Sequence, residues 1–526
     1  MGQEHTRSSG FRGFSFDTMR HVKTSVSVGL DLRLQDIEDV AVRYRVVRVP
    51  EEVRAKVRAS RDAIEVIVAR GDSGKPVYGV NTGFGALAET RIPADQMRAL
   101  QRNLIRSHAA GVGPLLGIPA VRAMILLRAQ VLALGHSGVR EVVLDALVAM
   151  LNRKVHPCVP AQGSVGASGD LAPLAHVCLV LIGEGEVLGD DGREYDAGRA
   201  MRDAGIEPIV LQAKEGLSLI NGTQYITALG ALSLCKALRL ADAADAAAAM
   251  SIEALLGSVV PFDARLHALR AHPGQVQVAA RMRDLLAESE IAKSHADCNK
   301  VQDPYSLRCT PQVHGATRDA LHYACTVIER EANSVTDNPS VFLTDDGADI
   351  LSGGNFHGQP LGYALDLAAI ATAELANISE RRIEQLVNPA LSCNLTPFLA
   401  APGGMHSGYM IAQVAAASLV SENKVLCHPA SVDSIPSSAN KEDHVSMASI
   451  SARKYCSIIE NVTQVLGIEL LVAASGLDQR APLKPAKRVA ALHAKVREVV
   501  APLTEDRVLY KDIRAASLLV DAGEIR

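Results

Sequence analysis

Apolar residues in the second half of the chain recur at helical spacing over long stretches. Residues 224–256 are rich in Ala and Leu and contain almost no helix breakers. Further helical patterns run at about 313–334, 360–388, 407–425 and 446–475. Several long apolar helices in series need one another to bury their faces. The pattern therefore predicts a long-helix bundle over residues 224–526, and favours an oligomer into which the bundle continues.

The first half of the chain mixes shorter elements with glycine-rich loops. Apolar residues alternate with other residues between 26 and 34, which is strand spacing, whereas 53–68 is spaced as a helix. Glycine and acidic turn signals at 179–196 indicate a hairpin. We therefore expect a mostly α protein, with a flexible extension at 1–21 and a smaller mixed N-terminal region at 22–223 ahead of the bundle.

Composition excludes several classes of function. The formal net charge is −4, which provides no basic footprint for nucleic acid or for an anionic membrane surface. The N-terminus lacks the apolar segment of a secretory signal, and no uninterrupted apolar run approaches the roughly 20 residues of a membrane helix. Nine scattered cysteines without a CxxC pair predict reduced thiols. We expect a cytoplasmic protein that binds neither nucleic acid nor membrane.

The densest motif is the fourteen-residue string Gly163 to His176, whose centre is Ala167-Ser168-Gly169. The amide nitrogen of Gly169 has no neighbouring Cβ to shield it, so it can attack the carbonyl two residues back. Loss of water from that ring and from the serine side chain would leave an electron-poor methylidene-imidazolone. The bare tripeptide is more often a flexible turn, and the remaining motifs must decide between the two interpretations.

An electrophile of this kind would serve the elimination of ammonia from an amino acid, which also needs a base and a grip on the substrate. Tyr78 lies in a glycine-rich loop, Val77 to Gly85, and could be exposed in a mobile lid. Tyr305 and Arg308 share a face if the chain is helical after Pro304, and the planar guanidinium of an arginine can hold a carboxylate at two points. Without further context, a packing tyrosine and a solvated surface arginine are the more common explanations for these residues.

These strings together resemble the aromatic amino acid ammonia-lyases, meaning the histidine, phenylalanine and tyrosine ammonia-lyases and the related aminomutases. The resemblance runs from about residue 25 to 520. It implies a mostly α-helical homotetramer whose active sites are assembled from several subunits. It also implies a methylidene-imidazolone (MIO) cofactor made from Ala167, Ser168 and Gly169, with no metal, pyridoxal phosphate or nucleotide.

The resemblance also assigns roles around that cofactor. Tyr78 and Tyr305 would be the proton-handling phenols, with Tyr78 as the base for the β-hydrogen. Asn221, Gln302 and Arg308 would hold the amino acid backbone, and Asn338 and Phe356 would line the pocket. A turn or helix-cap role is an alternative for both asparagines.

Two residues bear on the substrate ring. Ser107-His108 matches the ring-facing pair of histidine ammonia-lyases, although some tyrosine aminomutases share it. Glu442 stands where histidine-selective members have Glu and phenylalanine or tyrosine members usually have Gln. A carboxylate can accept a hydrogen bond from an imidazole N–H, but against a phenyl ring it would be a desolvated, unpaired charge. The resemblance therefore implies L-histidine as substrate and trans-urocanate and ammonia as products.

Other functions remain open from the sequence. Lys441 stands where Gln is common, and Gly358-Gln359 resembles the other aromatic lyases and the aminomutases. A tyrosine or phenylalanine ammonia-lyase or a 2,3-aminomutase is thus the nearest alternative. A non-catalytic helical scaffold would need none of the residues above, and the Gly-Ser-Ser…Met-Pro-x-Lys-x-Asn loop of the fumarase and aspartase type of lyase is absent.

Overall fold

The computed structural model describes residues 24–70, 76–402 and 404–526, so the extension expected at 1–21 lies outside the described residues. In chain order the described α-helices are α1 Leu34–Ala41, α2 Glu51–Ala69, α3 Met97–His108, α4 Ile118–Ala133, α5 Glu141–Asn152, α6 Leu171–Leu181, α7 Ala197–Asp203, α8 Glu215–Ile220, α9 Gln224–Ala254, α10 Ala264–Ala268, α11 Pro273–Leu285, α12 Glu290–Ser294, α13 Tyr305–Arg308, α14 Thr310–Ala332, α15 Gln359–Val387, α16 Met410–Leu426, α17 Ala448–Asp478, α18 Lys487–Val499 and α19 Leu509–Asp521. The described strands are β1 Ser25–Ser27, β2 Val46–Arg48, β3 Val112–Leu115, β4 Pro160–Gln162, β5 Glu186–Leu188, β6 Glu194–Asp196, β7 Ser340–Thr344 and β8 Gly347–Leu351. Short 3-10 turns lie at Gly85–Leu87, Ala94–Gln96, Val260–Phe262, Pro397–Leu399 and Ser438–Asn440.

The five long helices of the second half are α9, α14, α15, α16 and α17, which confirms the predicted mostly α fold. At the centre of the bundle, α17 packs against both α15 and α9, and α14 closes the group by packing against the same two helices. Small side chains on the facing surfaces allow these helices to pack closely. A Cβ added to Gly230 of α9 would lie 2.9 Å from Cδ1 of Ile328 on α14.

The alternation between residues 26 and 34 produces less strand than predicted. Only Ser25–Ser27 is a strand, paired in parallel with β2, and the prediction is wrong beyond Ser27. The chain turns at Gly29, whose φ of +80° suits glycine. The alternating burial is nevertheless present, because Val28 and Leu32 are buried while Leu30 is 49% exposed. Tertiary packing of the turn, not a longer sheet, buries these side chains.

The hairpin predicted at 179–196 is present as the antiparallel pair β5 and β6. The N-terminal helices pack directly on the bundle, since α4 lies along α9 and a single cluster of buried apolar residues extends from Val26 to Ile525. The division of the chain at residue 223 stays a prediction.

Two helices, α15 and α17, are long and apolar enough to cross a membrane by length and composition alone. In the folded chain, 67% and 72% of their most apolar windows are buried among the other helices. Their apolar character therefore has an explanation in the core of the bundle.

Candidate active site

The tripeptide Ala167-Ser168-Gly169 lies on the turn that leads into α6. Gly169 has a φ of +77°, and a Cβ placed on it would lie 2.1 Å from the carbonyl oxygen of Gly222, so only glycine fits there. The next amide, that of Asp170, donates to the same Gly222 oxygen at 2.7 Å. The turn is thereby held against the loop that begins α9.

The hydroxyl and the backbone carbonyl of Ser168 each have a side-chain partner. Its Oγ donates a hydrogen bond to Oε1 of Glu442 at 2.6 Å, and its carbonyl oxygen accepts one from Nδ2 of Asn221 at 2.9 Å. Ser437 Oγ donates to the other oxygen of Glu442 at 2.7 Å. Oδ1 of Asn221 is buried and has no hydrogen-bond partner among the described residues. Two distant segments, those that carry Asn221 and Glu442, therefore converge on one serine.

A buried polar network below the turn was not predicted from the sequence. Asp170 is fully buried and accepts hydrogen bonds from the Ile226 amide at 3.0 Å and from Ser164 Oγ at 3.2 Å. Burial raises the pKa of Asp170 to about 7. Arg128 on α4, also buried, donates to the carbonyl oxygens of Ser218 at 2.8 Å and Asn221 at 3.0 Å. The sequence feature that could have indicated this network is Arg128, a charged residue within the largely apolar sequence of α4.

Tyr78 lies in the glycine-rich loop and lines the same cavity as Ser168. The phenol oxygen accepts a long hydrogen bond, 3.4 Å, from the amide of Gly85, and Asn81 Oδ1 accepts one from the amide of Val77 at 2.7 Å. Gly79 has a φ of +73°, and a Cβ on it would lie 2.7 Å from Leu217 Cδ2. This close approach to α8 places the loop at the rim of a cavity.

The cavity has a volume of about 300 Å³, which suits a ligand of amino acid size. Six of the predicted residues line it, namely Tyr78, Ser168, Asn221, Asn338, Phe356 and Glu442. The wall also includes residues that the sequence reasoning did not assign to the pocket, namely Gly85, Ala88, Leu217, Ser352, Gly353, Ser438 and Lys441. The side chain of Asn338 is engaged within this wall, donating to Ser352 Oγ at 3.0 Å and accepting from the Gly353 amide at 2.7 Å.

His108 lies near the cavity without lining it. It is the last residue of α3, where its Nδ1 lies 2.9 Å from the carbonyl oxygen of Leu104. Burial lowers the pKa of the imidazole, while the charge of Glu442 acts in the opposite direction. The two residues predicted to face the substrate ring are thus within electrostatic range of each other.

Gln302, Tyr305 and Arg308 do not line this cavity. Tyr305 and Arg308 share a face of α13, with the guanidinium carbon 4.6 Å from the centre of the tyrosine ring. Tyr305 is 70% exposed. One chain therefore brings together the tripeptide, Tyr78 and Glu442, but not the predicted carboxylate clamp, and the roles of these residues stay predictions.

Residues 32–498 match the aromatic amino acid lyase family. The chain is 64% identical to a histidine ammonia-lyase of Sorangium cellulosum, over 95% of this chain and 97% of that one. Among solved structures, a histidine ammonia-lyase of Trypanosoma cruzi is 44% identical with a TM-score of 0.87, covering 95% of this chain and 94% of that one. A tyrosine aminomutase of Streptomyces globisporus is 39% identical with a TM-score of 0.90, covering 95% and 97%.

Proposed function

The chain belongs to the aromatic amino acid lyase family, and on that premise we propose that it is a carbon–nitrogen lyase that converts L-histidine to trans-urocanate and ammonia. The observation that carries the choice of substrate is the carboxylate of Glu442 on the cavity wall, directly beside Ser168. A carboxylate there is matched by an imidazole N–H and would be left unpaired by a phenyl ring. The 64% sequence identity with a histidine ammonia-lyase, over 95% of this chain, supports the same choice of substrate.

The cofactor that we propose is the methylidene-imidazolone made from Ala167-Ser168-Gly169, which supplies the electrophile that makes the amino group a better leaving group. The residues present fit such a ring. The required glycine cannot be replaced without a clash, and the carbonyl oxygen of Ser168 already has a donor in Asn221. A hydrogen bond to this carbonyl withdraws electrons from the ring and strengthens the electrophile.

In the elimination, the bond between Cα and the amino nitrogen breaks, a proton leaves Cβ, and the double bond forms between the two carbons. We assign the removal of the β-proton to Tyr78, which lines the cavity and whose hydroxyl has, among the described residues, one long contact to the Gly85 amide. Glu442 orients the imidazole by accepting its N–H. Asn221 fixes the position of the tripeptide turn relative to both.

The test of this function is a comparison of three substrates. The purified protein is incubated separately with L-His, L-Tyr and L-Phe, and the unsaturated acid is followed by ultraviolet absorbance. Urocanate should be the dominant product. Selective formation of coumarate or cinnamate would refute the choice of substrate, while leaving the reaction type in place.

A 2,3-aminomutase is the second candidate, because the fold of the tyrosine aminomutase superimposes as well as that of a lyase, with TM-scores of 0.90 and 0.87. Mutases and lyases share the electrophile and differ in whether ammonia re-adds before the product leaves. Chromatography of the same reactions for a β-amino acid separates the two, and accumulation of β-tyrosine would favour the mutase.

Changing Glu442 to Gln is expected to reduce kcat/KM for histidine by about 10- to 100-fold, since a hydrogen bond to a charged group contributes about 1.5–3 kcal/mol. The amide keeps the shape of the side chain, and the backbone pairing of Ser437 with residue 442 remains. Asp443→Asn is the matched control, the same change one residue along at an exposed position. A histidine rate that Glu442→Gln leaves unchanged would mean that the ring is recognised elsewhere.

We further propose that the protein is a homotetramer with active sites shared between subunits. Exposed apolar side chains form a stripe on α15, made of Tyr363, Leu367 and Ile370, and another on α16 that includes Ile411 and Val414. Such stripes are typical of surfaces that another subunit covers. A site shared between subunits would also allow Arg308 of one subunit to reach the cavity of another, whereas within one chain Arg308 does not line the cavity.

Co-expression of two inactive variants tests the shared site. Ser168→Ala removes the electrophile and Arg308→Ala removes the clamp, and each alone should be nearly inactive. If the two residues meet across an interface, random pairing of subunits restores about one site in four. Activity well above either variant alone is expected from the co-purified mixture. Failure to recover it in verified mixed oligomers would place both residues in one chain's site.

We propose a cytoplasmic location. All nine cysteines are unpaired thiols in the folded chain, which is typical of proteins that fold in a reducing compartment.

A further inference from the structure

A buried ion pair links the centre of the bundle. Arg382 on α15 and Glu469 on α17 both have side chains that are 0% exposed. They meet at two points, with Nε donating to Oε1 at 2.5 Å and Nη2 donating to Oε2 at 2.9 Å. Ser251 on α9 adds a hydrogen bond from its Oγ to the same Oε1 at 2.7 Å. The two-point contact fixes the plane of the guanidinium.

The remaining terminal nitrogen of Arg382 reaches the backbone of α13. Its Nη1 donates to the carbonyl oxygen of Ser306 at 3.4 Å, while the hydroxyl of Thr310, which has a single proton, donates to the neighbouring carbonyl oxygen of Leu307 at 2.9 Å. Ser306 lies between Tyr305 and Leu307 in a helix of four residues. A helix this short cannot hold its own orientation, so its position depends on contacts from outside.

A second buried carboxylate holds the chain just before α13. Oδ2 of Asp303 accepts a hydrogen bond from the Ser258 amide at 2.6 Å, and its Oδ1 pairs with Lys300 Nζ at 2.7 Å. The side chain of Asp303 is 2% exposed. The segment that carries Gln302, Tyr305 and Arg308 is therefore held at two points.

Stability alone does not account for the pair between Arg382 and Glu469. The free energy lost by removing two charges from water offsets much of their mutual attraction, so a protein with a well-packed apolar pair of similar size is often equally stable. An apolar pair, however, offers no donor to the Ser306 carbonyl. The feature that only the charged pair supplies is the oriented N–H group aimed at α13.

We propose that Arg382, oriented by Glu469, and Asp303 are positioning residues that set the orientation of Tyr305 and Arg308 for substrate binding. This inference rests on the proposed function, in which Arg308 holds the substrate carboxylate. Neither positioning residue lines the cavity, and both act through the backbone of the segment that ends in α13.

The test is the double variant Arg382→Met/Glu469→Leu, which removes both charges together and so leaves no unpaired one in the core. The expected result is a KM for histidine raised by at least about tenfold, a size typical of coupled residues in contact. The tripeptide lies in a different part of the fold, so the intact mass should still show the loss of two water molecules. In an Arg308→Lys background the same double change should add little to KM, because the contact it positions is already impaired.

Controls separate positioning from general loss of structure. Tyr409→Phe removes a buried hydrogen bond to Ser475 on the same helix α17, away from α13, and should leave KM unchanged. Asp303→Ala tests the second anchor without touching the bundle core and should also raise KM, which keeps the inference testable if the double variant does not fold.

An unchanged KM in a folded double variant or in Asp303→Ala would overturn the inference. The inference would also be overturned if the double change raised KM by the same factor in the Arg308→Lys background as in the wild type. If the wild-type protein turns over tyrosine or phenylalanine in place of histidine, the proposed substrate fails, but the same KM comparison on the accepted amino acid still decides whether α13 is positioned in this way.

Discussion

Ser168→Ala is expected to lose at least about a thousandfold in turnover, the upper end of what removing a single electrostatic group costs. Without the serine hydroxyl the side-chain water cannot be eliminated, so the methylidene group that makes the ring an electrophile cannot form. The fold should survive, because within the described part of the chain the hydroxyl makes one hydrogen bond, to Glu442, and the loop is held by the backbone contacts of Gly169 and Asp170 with Gly222.

Urocanate formation and intact mass measure this loss together. The wild-type chain should be lighter than its sequence by two water molecules, one from ring closure and one from the serine hydroxyl, and Ser168→Ala should lack at least the second of these losses. Ser352→Ala is the matched control, since it makes the same change on the same cavity wall and, among the described residues, removes a contact to Asn338. Turnover near that of the wild type in Ser168→Ala would overturn the cofactor assignment.

Tyr78→Phe is expected to reduce kcat by about 10²- to 10⁴-fold, the range contributed by general acid–base catalysis. Among the described residues the phenol oxygen has one hydrogen-bond contact, a long one with the Gly85 amide, so its removal should cost little stability. Because the ring itself remains, KM should change much less than kcat.

Steady-state kinetics with histidine measure the split between kcat and KM. Tyr195→Phe is the control, a tyrosine in the hairpin of β5 and β6 whose hydroxyl donates to Asp191 far from the cavity wall. A kcat for Tyr78→Phe within a few-fold of the wild type would assign proton removal to another group, with Tyr305 the next candidate.

The long helices could be predicted because their signal is local. Apolar side chains at a spacing of 3.6 residues, with few breakers, specify α9, α14, α15 and α17 to within a few residues of their observed ends. The strand at 26–34 could not be predicted reliably, because alternating burial arises there from a turn at Gly29 and the helices packed on it. The spacing alone does not distinguish a strand from an irregular segment that buries every second residue.

The sequence by itself determined the family, since the residue types and their order in short strings match the aromatic amino acid lyases, and it singled out the tripeptide and Tyr78 as candidates for the chemistry. Only the tertiary structure decided which of these groups meet. Ser168 and Glu442 are 274 positions apart in the sequence, yet Oγ of Ser168 lies 2.6 Å from Oε1 of Glu442. Arg308, which the family resemblance assigns to the same site, does not line the cavity of its own chain. The physical reason is that spacing along the chain constrains neighbours within one helix or loop, whereas the distance between helices is set by how their buried faces pack.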